Sequence, residues 1–151
     1  MKDTSNSISI NAELSKMILS ASGWRKIFSE SGKEEDGSPN IKYEDSILLC
    51  YAALAFSEFL KSNFPKIRTI VIGRDSRPTG SAIEEVFIKT LISTSYDLKV
   101  VGCTAAPEIM AYSRSIGAAF AYISASHNPI GHNGLKFGLD SGGVLDGDQA
   151  K

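Results

Sequence analysis

Short apolar runs alternate with segments of helical length along this chain, and this alternation constrains the fold more than any other feature. The runs lie at residues 16–20, 69–73, 98–103, 118–123 and 135–139. Segments typical of helices lie between most of them, at residues 46–60, 81–92 and 107–115. A crossover helix is what joins parallel neighbours in a sheet. The pattern therefore predicts a three-layer α/β/α domain with a mixed, mostly parallel sheet of about four main strands.

Three segments refine this expectation. Residues 46–60 are nearly all apolar, which predicts a helix buried on most of its faces, and Asp45 precedes them as a plausible N-cap. The last apolar run, residues 135–139, follows a loop too short for a crossover helix, so we expect it to pair antiparallel or to lie at a sheet edge. Residues 29–40 carry charges and turn-forming pairs such as Ser-Gly, Asp-Gly and Ser-Pro, which predicts a mobile surface loop.

The length and charge balance exclude several function classes. The 151 residues match the ~150 typical of one domain, so we expect residues 1–151 to form a single domain. Lysine and arginine number 16 against 17 acidic residues, a net charge of −1 that offers no basic field to nucleic acid or to an anionic membrane. No stretch reaches the ~18 apolar residues of a membrane helix, and no signal sequence opens the chain, so a cytoplasmic location is expected. Cys50 and Cys103 lie in apolar runs and are expected to be buried, reduced thiols.

The loop after residues 118–123 holds the most reactive set of side chains. It reads Ser-Ala-Ser-His-Asn-Pro from residue 124 and continues through Asn-Gly-Leu to Lys136. In such sheets ligands bind outside the carboxyl ends of the strands. A serine oxygen near imidazole and ammonium groups is a plausible phosphoryl acceptor, because phosphoryl transfer depends mainly on positioning and charge stabilisation. Ser126, His127 and Lys136 are therefore candidate catalytic residues, although a polar β-turn with incidental serine and histidine also explains the pattern.

Two further segments combine arginines with small residues. Residues 73–80 read Gly-Arg-Asp-Ser-Arg-Pro-Thr-Gly and open onto a predicted helix, where two arginines around an aspartate can hold an anion or brace a neighbouring loop. We favour bracing by Asp75 and Arg77, and expect the first arginine of the segment to be solvated. Residues 20–25 place small residues beside Arg25, which suits a backbone that passes close to a phosphate. A strand end with a core tryptophan explains the same residues.

Together these segments make the chain resemble the N-terminal domain of the α-D-phosphohexomutases, the phosphoglucomutase and phosphomannomutase superfamily. Residues 124–129 match that family's active-site serine signature, with its Asn-Gly-x-Lys continuation ending at Lys136. Residues 73–80 match its Gly-x-Asp-x-Arg-x-x-Gly motif, and residues 22–25 match its Ser-Gly-x-Arg element. The three motifs follow the family's order, and the resemblance covers residues 16–146.

The resemblance implies an enzyme that interconverts a hexose 1-phosphate and a hexose 6-phosphate through a phosphoserine and a bisphosphate intermediate. Ser126 would carry the phosphoryl group, and an oxygen of its phosphate would be a ligand of Mg²⁺, the implied cofactor. Arg25 and Lys136 would flank that phosphate. Asn128 would contribute to binding phosphate or substrate, and His127 would assist proton transfer or orient the loop. The implied partners are the hexose phosphate substrate and the remaining domains of the same enzyme.

The resemblance also has a boundary. Family members have four domains, and the other metal carboxylates and the sugar-binding loop lie outside the first. The end at Lys151 therefore suggests a fragment of a longer enzyme, and the isolated chain is expected to be inactive. The Asp-Gly-Asp at residues 146–148 looks like a metal loop but lacks the following arginine, so a linker explains it better.

Two other functions compete with this interpretation. One is a free-standing, non-catalytic module that binds phosphosugars or regulates another protein through a phosphorylatable serine. The other is a flavodoxin-like nucleotide-binding domain, which is disfavoured because no glycine-rich loop follows the first strand.

Overall fold

One mixed sheet with helices on both of its faces forms the protein. The computed structural model describes residues 10–20, 23–146 and 148–149. The strands are β1 (Ile18–Ser20), β2 (Gly23–Ile27), β3 (Thr69–Arg74), β4 (Asp97–Cys103), β5 (Ala119–Ile123) and β6 (His132–Gly138). The helices are α1 (Ile10–Leu14), α2 (Tyr43–Asn63), α3 (Gly80–Leu91) and α4 (Ala106–Ile116). None of the helices in this described part of the chain has the length and apolar character that a bilayer span requires.

The strand order is β1-β2-β6-β5-β3-β4. Strand β3 pairs parallel with β4 and with β5, because α3 and α4 provide the crossovers. The pairs β1–β2, β2–β6 and β5–β6 are antiparallel. The mixed α/β sheet predicted from the sequence is confirmed, including the antiparallel pairing of the last strand. The described sheet has six strands rather than about four, and two of its five strand pairs are parallel.

Helices α2 and α3 cover one face of the sheet, and α4 covers part of the other. The first face buries Leu49, Phe56, Ile83, Phe87, Ile70, Ile72, Ala121 and Phe137 in one apolar cluster. The second face packs Ile109 of α4 against Val71, Phe120 and Tyr122. Because successive residues of a strand point to opposite faces, Ile72 and Ala121 belong to the first layer while Val71 and Phe120 belong to the second. These contacts give the three layers that the alternation predicted.

Strand β2 was missed by the sequence interpretation because charged residues interrupt its apolar pattern. Lys26 points into the first layer, where its ammonium group pairs with Asp45 of α2 and with Glu13 of α1. Asp45 was expected to cap α2 and does not, because the helix begins two residues earlier at Tyr43 and its N-cap is Lys42. Asp45 is instead a buried ion-pair partner, and burial raises its pKa while Lys26 opposes that rise.

Two smaller expectations also needed correction. Both cysteines are free, but Cys50 is only partly buried and Cys103 is exposed, because Cys103 ends β4 at the edge of the sheet. Residues 29–40 lie at the surface as expected for most of their length, yet their start is fully buried at Ser29. This segment contacts the loop that carries Ser126, as described below.

Candidate functional site

Ser126 lies where the chain leaves β5 and before it returns as β6. Its backbone has a φ of 55°, and it is the single non-glycine residue with positive φ in the described chain. Such a left-handed turn costs about 1 kcal/mol or more and marks a conformation that its surroundings enforce. Ser124 is buried, and its Oγ accepts a hydrogen bond from the Ser126 amide at 3.2 Å. The turn therefore exposes the Ser126 side chain and leaves Ser124 inside the sheet.

Lys136 brings a positive charge to the Ser126 hydroxyl. Its Nζ donates a hydrogen bond to Ser126 Oγ at 3.0 Å. Lys136 sits on β6 directly opposite Tyr122 of β5, so both side chains occupy the face of the sheet that α4 covers in part. Because β5 and β6 are neighbours, the short loop between them returns the lysine to the serine that precedes it. An ammonium group at this distance can offset the charge of a phosphate on Ser126.

Arg77, in the loop after β3, holds the segment of residues 124–132 that carries Ser126, here called the serine loop. Its guanidinium donates to four carbonyl oxygens of the loop: Ser126 O at 2.8 Å, Asn128 O at 2.5 Å, Pro129 O at 2.6 Å and His132 O at 3.0 Å. The planar fork of arginine suits several acceptors at fixed directions, which a lysine could not satisfy together. The contacts fit a bracing role, because they leave the arginine committed to the loop backbone.

Asp75 and Asn133 make the contacts that hold the segment around Arg77 against β5 and β6. The Asp75 amide donates to Ile123 O at 3.0 Å, its carboxylate accepts from the Arg77 amide at 3.0 Å, and it lies 3.5 Å from Arg77 Nε. Asn133, fully buried, donates from Nδ2 to Thr79 Oγ1 at 3.0 Å, which ties the start of β6 to the start of α3. The first arginine of this segment, Arg74, was expected to be solvated but pairs with Glu84 of α3 at 3.1 Å.

The segment after β2 makes a second contact with the loop, and no motif or periodicity in the sequence indicates it. Gly131 donates its amide to Glu34 O at 2.7 Å, and its carbonyl accepts hydrogen bonds from the amides of Phe28 and Ser29. A Cβ at Gly131 would overlap Lys33 O, so any side chain there would collide with backbone. The segment after β2 and the serine loop are therefore packed backbone to backbone. Glycine at this position is what permits the approach.

The remaining candidate residues lie around the same loop. Arg25 on β2 is opposite Gly134 of β6, which places it on the same face as Lys136, two residues further along β6. Asn128 uses its side-chain amide to hold the turn, donating to Ala125 O at 2.6 Å. His127 is exposed beside Ser126. The roles expected of these three residues toward phosphate, substrate or proton stay predictions. Ser22 of the first motif lies outside the described residues.

The acidic residues near the site do not form a metal centre by themselves. Across the described residues, no three histidine, cysteine, aspartate or glutamate side chains gather where they could hold one ion. Asp146 instead uses its carboxylate to cap a turn, accepting from the amides of Asp148 and Gln149 at 3.0 and 2.9 Å. Residue 147, the middle of that Asp-Gly-Asp sequence, lies outside the described residues.

Comparison with known proteins identifies relatives of this chain. The family model described as "Phosphoglucomutase/phosphomannomutase, alpha/beta/alpha domain I" matches residues 17–151. The chain is 36% identical over 85 residues to a phosphoglucosamine mutase of Macrococcus caseolyticus, which is 55% of this chain and 19% of that protein. It is 40% identical over 76 residues to a phosphoglucosamine mutase of Desulforamulus reducens, which is 50% of this chain and 17% of that protein. The match thus spans about a fifth of these relatives' length.

Solved structures share the fold. A Thermus thermophilus protein assigned as a phosphomannomutase superposes with a TM-score of 0.70 at 20% identity, covering 89% of this chain and 28% of that one. A phosphoglucomutase/phosphomannomutase family protein of Burkholderia thailandensis superposes with a TM-score of 0.62 at 19% identity, covering 87% and 27%. At these identities the structures establish the fold, while the family model establishes the relationship. The chain therefore belongs to the phosphoglucomutase/phosphomannomutase family, whose α/β/α domain I it represents.

Proposed function

We propose that this chain is the catalytic-serine domain of a phosphosugar mutase, with Ser126 as the phosphoryl carrier. The observation that carries the proposal is the 3.0 Å hydrogen bond from Lys136 Nζ to the Oγ of a serine held exposed at a left-handed turn. Family membership supports the reaction class. In this proposal residues 1–151 form one domain, and the rest of the active site belongs to further domains of a longer protein.

The proposed reaction moves one phosphoryl group off Ser126 and takes another back. The bond between Ser126 Oγ and phosphorus breaks as a hydroxyl oxygen of the hexose phosphate bonds to that phosphorus, and the hydroxyl proton passes to a base. His127 is adjacent in the chain and exposed, so we assign it this proton transfer or the orientation of the loop. The bisphosphate then turns over, and Ser126 Oγ accepts its other phosphoryl group.

The cationic residues have separate tasks in this scheme. Lys136 offsets the charge that stays on the serine oxygen when the phosphoryl group leaves, because its ammonium already contacts that oxygen. Arg25, on the same face of the sheet, is assigned to the phosphate oxygens, and Asn128 is assigned to phosphate or substrate. Arg77 and Asp75 contact the loop and each other, so we assign them to keeping Ser126 at its turn. Catalysis of this kind depends on accurate positioning of the reacting groups.

Mg²⁺ fits this site through the phosphate on Ser126. The hard oxygens of a phosphoserine suit this ion. Ser126 is exposed, so a phosphate on it is accessible to a metal ion whose other ligands come from outside this chain. Because no acidic or histidine cluster accompanies it within the described residues, this chain would supply one ligand. When bound, the ion would neutralise charge on the transferring phosphoryl group.

A mutase assay on the longer protein that contains this chain tests the proposal. We expect the protein to convert glucosamine, glucose or mannose 1-phosphate to the 6-phosphate, with the conversion monitored by ³¹P NMR. We expect Ser126→Ala to abolish that conversion. The competing function is a phosphosugar-binding or regulatory module without turnover. Binding of a hexose phosphate with no interconversion of any of the three sugars would favour that module and contradict the mutase.

A further inference from the structure

A carboxylate and an imidazole meet where the segment after β2 contacts the serine loop at Gly131. Glu34 Oε1 lies 3.3 Å from His132 Nε2. The His132 side chain is 14% exposed and that of Glu34 is 55% exposed. Both ring nitrogens of His132 are buried and make no well-formed hydrogen bond within the described part of the chain. The Glu34 carboxylate is thus the acidic partner that the structure gives this imidazole.

Both residues also hold the loop through their backbones. Glu34 O accepts the Gly131 amide at 2.7 Å, and His132 N donates to Pro129 O at 3.1 Å. His132 O is one of the four carbonyls that Arg77 binds. The Glu34–His132 contact therefore lies next to two sets of contacts that hold the loop. One is the backbone hydrogen bonds of Gly131, and the other is the hydrogen bonds from the Arg77 guanidinium to the loop carbonyls. A change at this contact acts on the part of the loop that both of them hold.

Glu34 and His132 line a cavity at this contact, and the other charged side chains that line it, apart from Lys42, pair with one another. Lys26 pairs with Asp45 and Glu13, and Lys16 pairs with Glu13. Lys42 also lines the cavity, near Gly32. Glu34 is therefore the lining carboxylate that is placed against His132 rather than against a lysine.

We propose that Glu34 and His132 form a positioning pair that sets the position of the serine loop. The pair fixes the loop at Gly131 and His132. This keeps the loop carbonyls within reach of the Arg77 guanidinium and keeps Ser126 in contact with Lys136. The consequence for catalysis rests on the proposed function, whereas the consequence for loop order does not. The pair touches neither Ser126 nor Lys136, so its effect on them passes through the loop backbone.

Amide hydrogen exchange on the 151-residue chain tests the effect on loop order. Glu34→Gln keeps the backbone bond to Gly131 and removes the carboxylate charge, and we expect it to speed exchange at the Asn128, Gly131 and His132 amides by about two- to fivefold, the size of effect typical of a partly exposed charged contact. Amides of β3 should be unchanged. The matched control is Glu35→Gln, an exposed neighbour, which should leave the loop unaffected. Equal exchange in Glu34→Gln and the parent, or a rise spread evenly over β3, would overturn the proposal.

A double-mutant cycle separates a pair from two independent residues. His132→Gln alone and His132→Gln with Glu34→Gln should raise loop exchange equally, because either change already removes the contact. Additive effects would contradict the pairing. Glu34→Asp, which retains the charge, should recover part of the protection.

Kinetics on the longer protein test the effect on catalysis. Glu34→Gln should lower kcat about two- to fivefold and change KM less than kcat, since loop position sets Ser126 for the transfer step, and Glu34→Asp should restore part of kcat. A rise in KM at unchanged kcat would contradict the positioning role. Absence of mutase activity in the parent protein would count against the proposed function instead, and the exchange experiment would still decide the pair.

Discussion

Replacing Arg77 by alanine removes a side chain that binds four carbonyl oxygens of the serine loop. The arginine side chain is 12% exposed, so solvent screens it little. The carbonyls of Ser126 and Pro129 lie in exposed contacts, where water can replace the lost donor. Those of Asn128 and His132 are partly buried, and a hydrogen bond to a charged group contributes about 1.5–3 kcal/mol. Counting these two bonds at the lower value gives a destabilisation of about 3 kcal/mol.

Urea denaturation of the chain measures this change. With a slope of about 1–3 kcal/mol per molar urea, the midpoint should fall by roughly 1–3 M. Arg77→Lys should recover less than half of the loss, because a single ammonium group cannot reach four carbonyls at these directions. The control is Arg68→Ala, an exposed arginine, for which we expect a change within about 0.5 kcal/mol. If Arg77→Ala shifts the midpoint no more than Arg68→Ala does, the bracing argument is refuted.

Three other perturbations follow from the same structure. Lys26→Met should destabilise the chain by about 3–5 kcal/mol in urea titrations, because it strands the buried Asp45 carboxylate; a loss under about 1 kcal/mol would contradict a structural ion pair. Hydrogen bonds from Lys16 and Lys26 lower the pKa of Glu13 from 4.5 to about 2, so the stability it contributes is complete above about pH 4.5 and lost as pH falls toward 2. Glu13→Gln should therefore flatten the pH dependence of the urea midpoint across that window, and an unchanged slope would rule out the linkage. The isolated 151-residue chain should show no mutase activity on glucose, mannose or glucosamine 1-phosphate, and robust turnover would show that the site is complete without further domains.

The layers of the fold were predictable because local pattern and tertiary burial agree along most of the chain. Strands β3 and β5 are short apolar runs buried on both faces, and α3 carries its apolar residues at helical spacing. Strand β2 was not predictable in this way. Its Lys26 points into a buried layer, and only the tertiary pairing with Asp45 makes that position tolerable. A pattern that scores charge as exposed assigns such a strand to a loop.

The candidate site shows the same division. The motif around Ser126 and Lys136 could be found by its residue types and spacing, and the structure brings the two side chains together across one turn and one strand pair. The partners of Arg77 could not, since they are backbone carbonyls that carry no sequence signal. The contact of Gly131 with Glu34 is likewise made by backbone atoms, between segments that only the fold brings together. Side-chain chemistry can be predicted from the sequence, whereas contacts between backbone atoms cannot.

The location of phosphate on the proposed longer protein tests the central claim most directly. Intact-mass measurement and peptide mapping should find one phosphoryl group on Ser126 and none on Ser124, because Ser124 is buried in the sheet while Ser126 is exposed beside Lys136. Ser126→Ala should abolish both the phosphopeptide and mutase activity, and Ser124→Ala should leave a measurable fraction of each. Phosphate on Ser124 with Ser126 unmodified, or an active Ser126→Ala protein, would contradict the account.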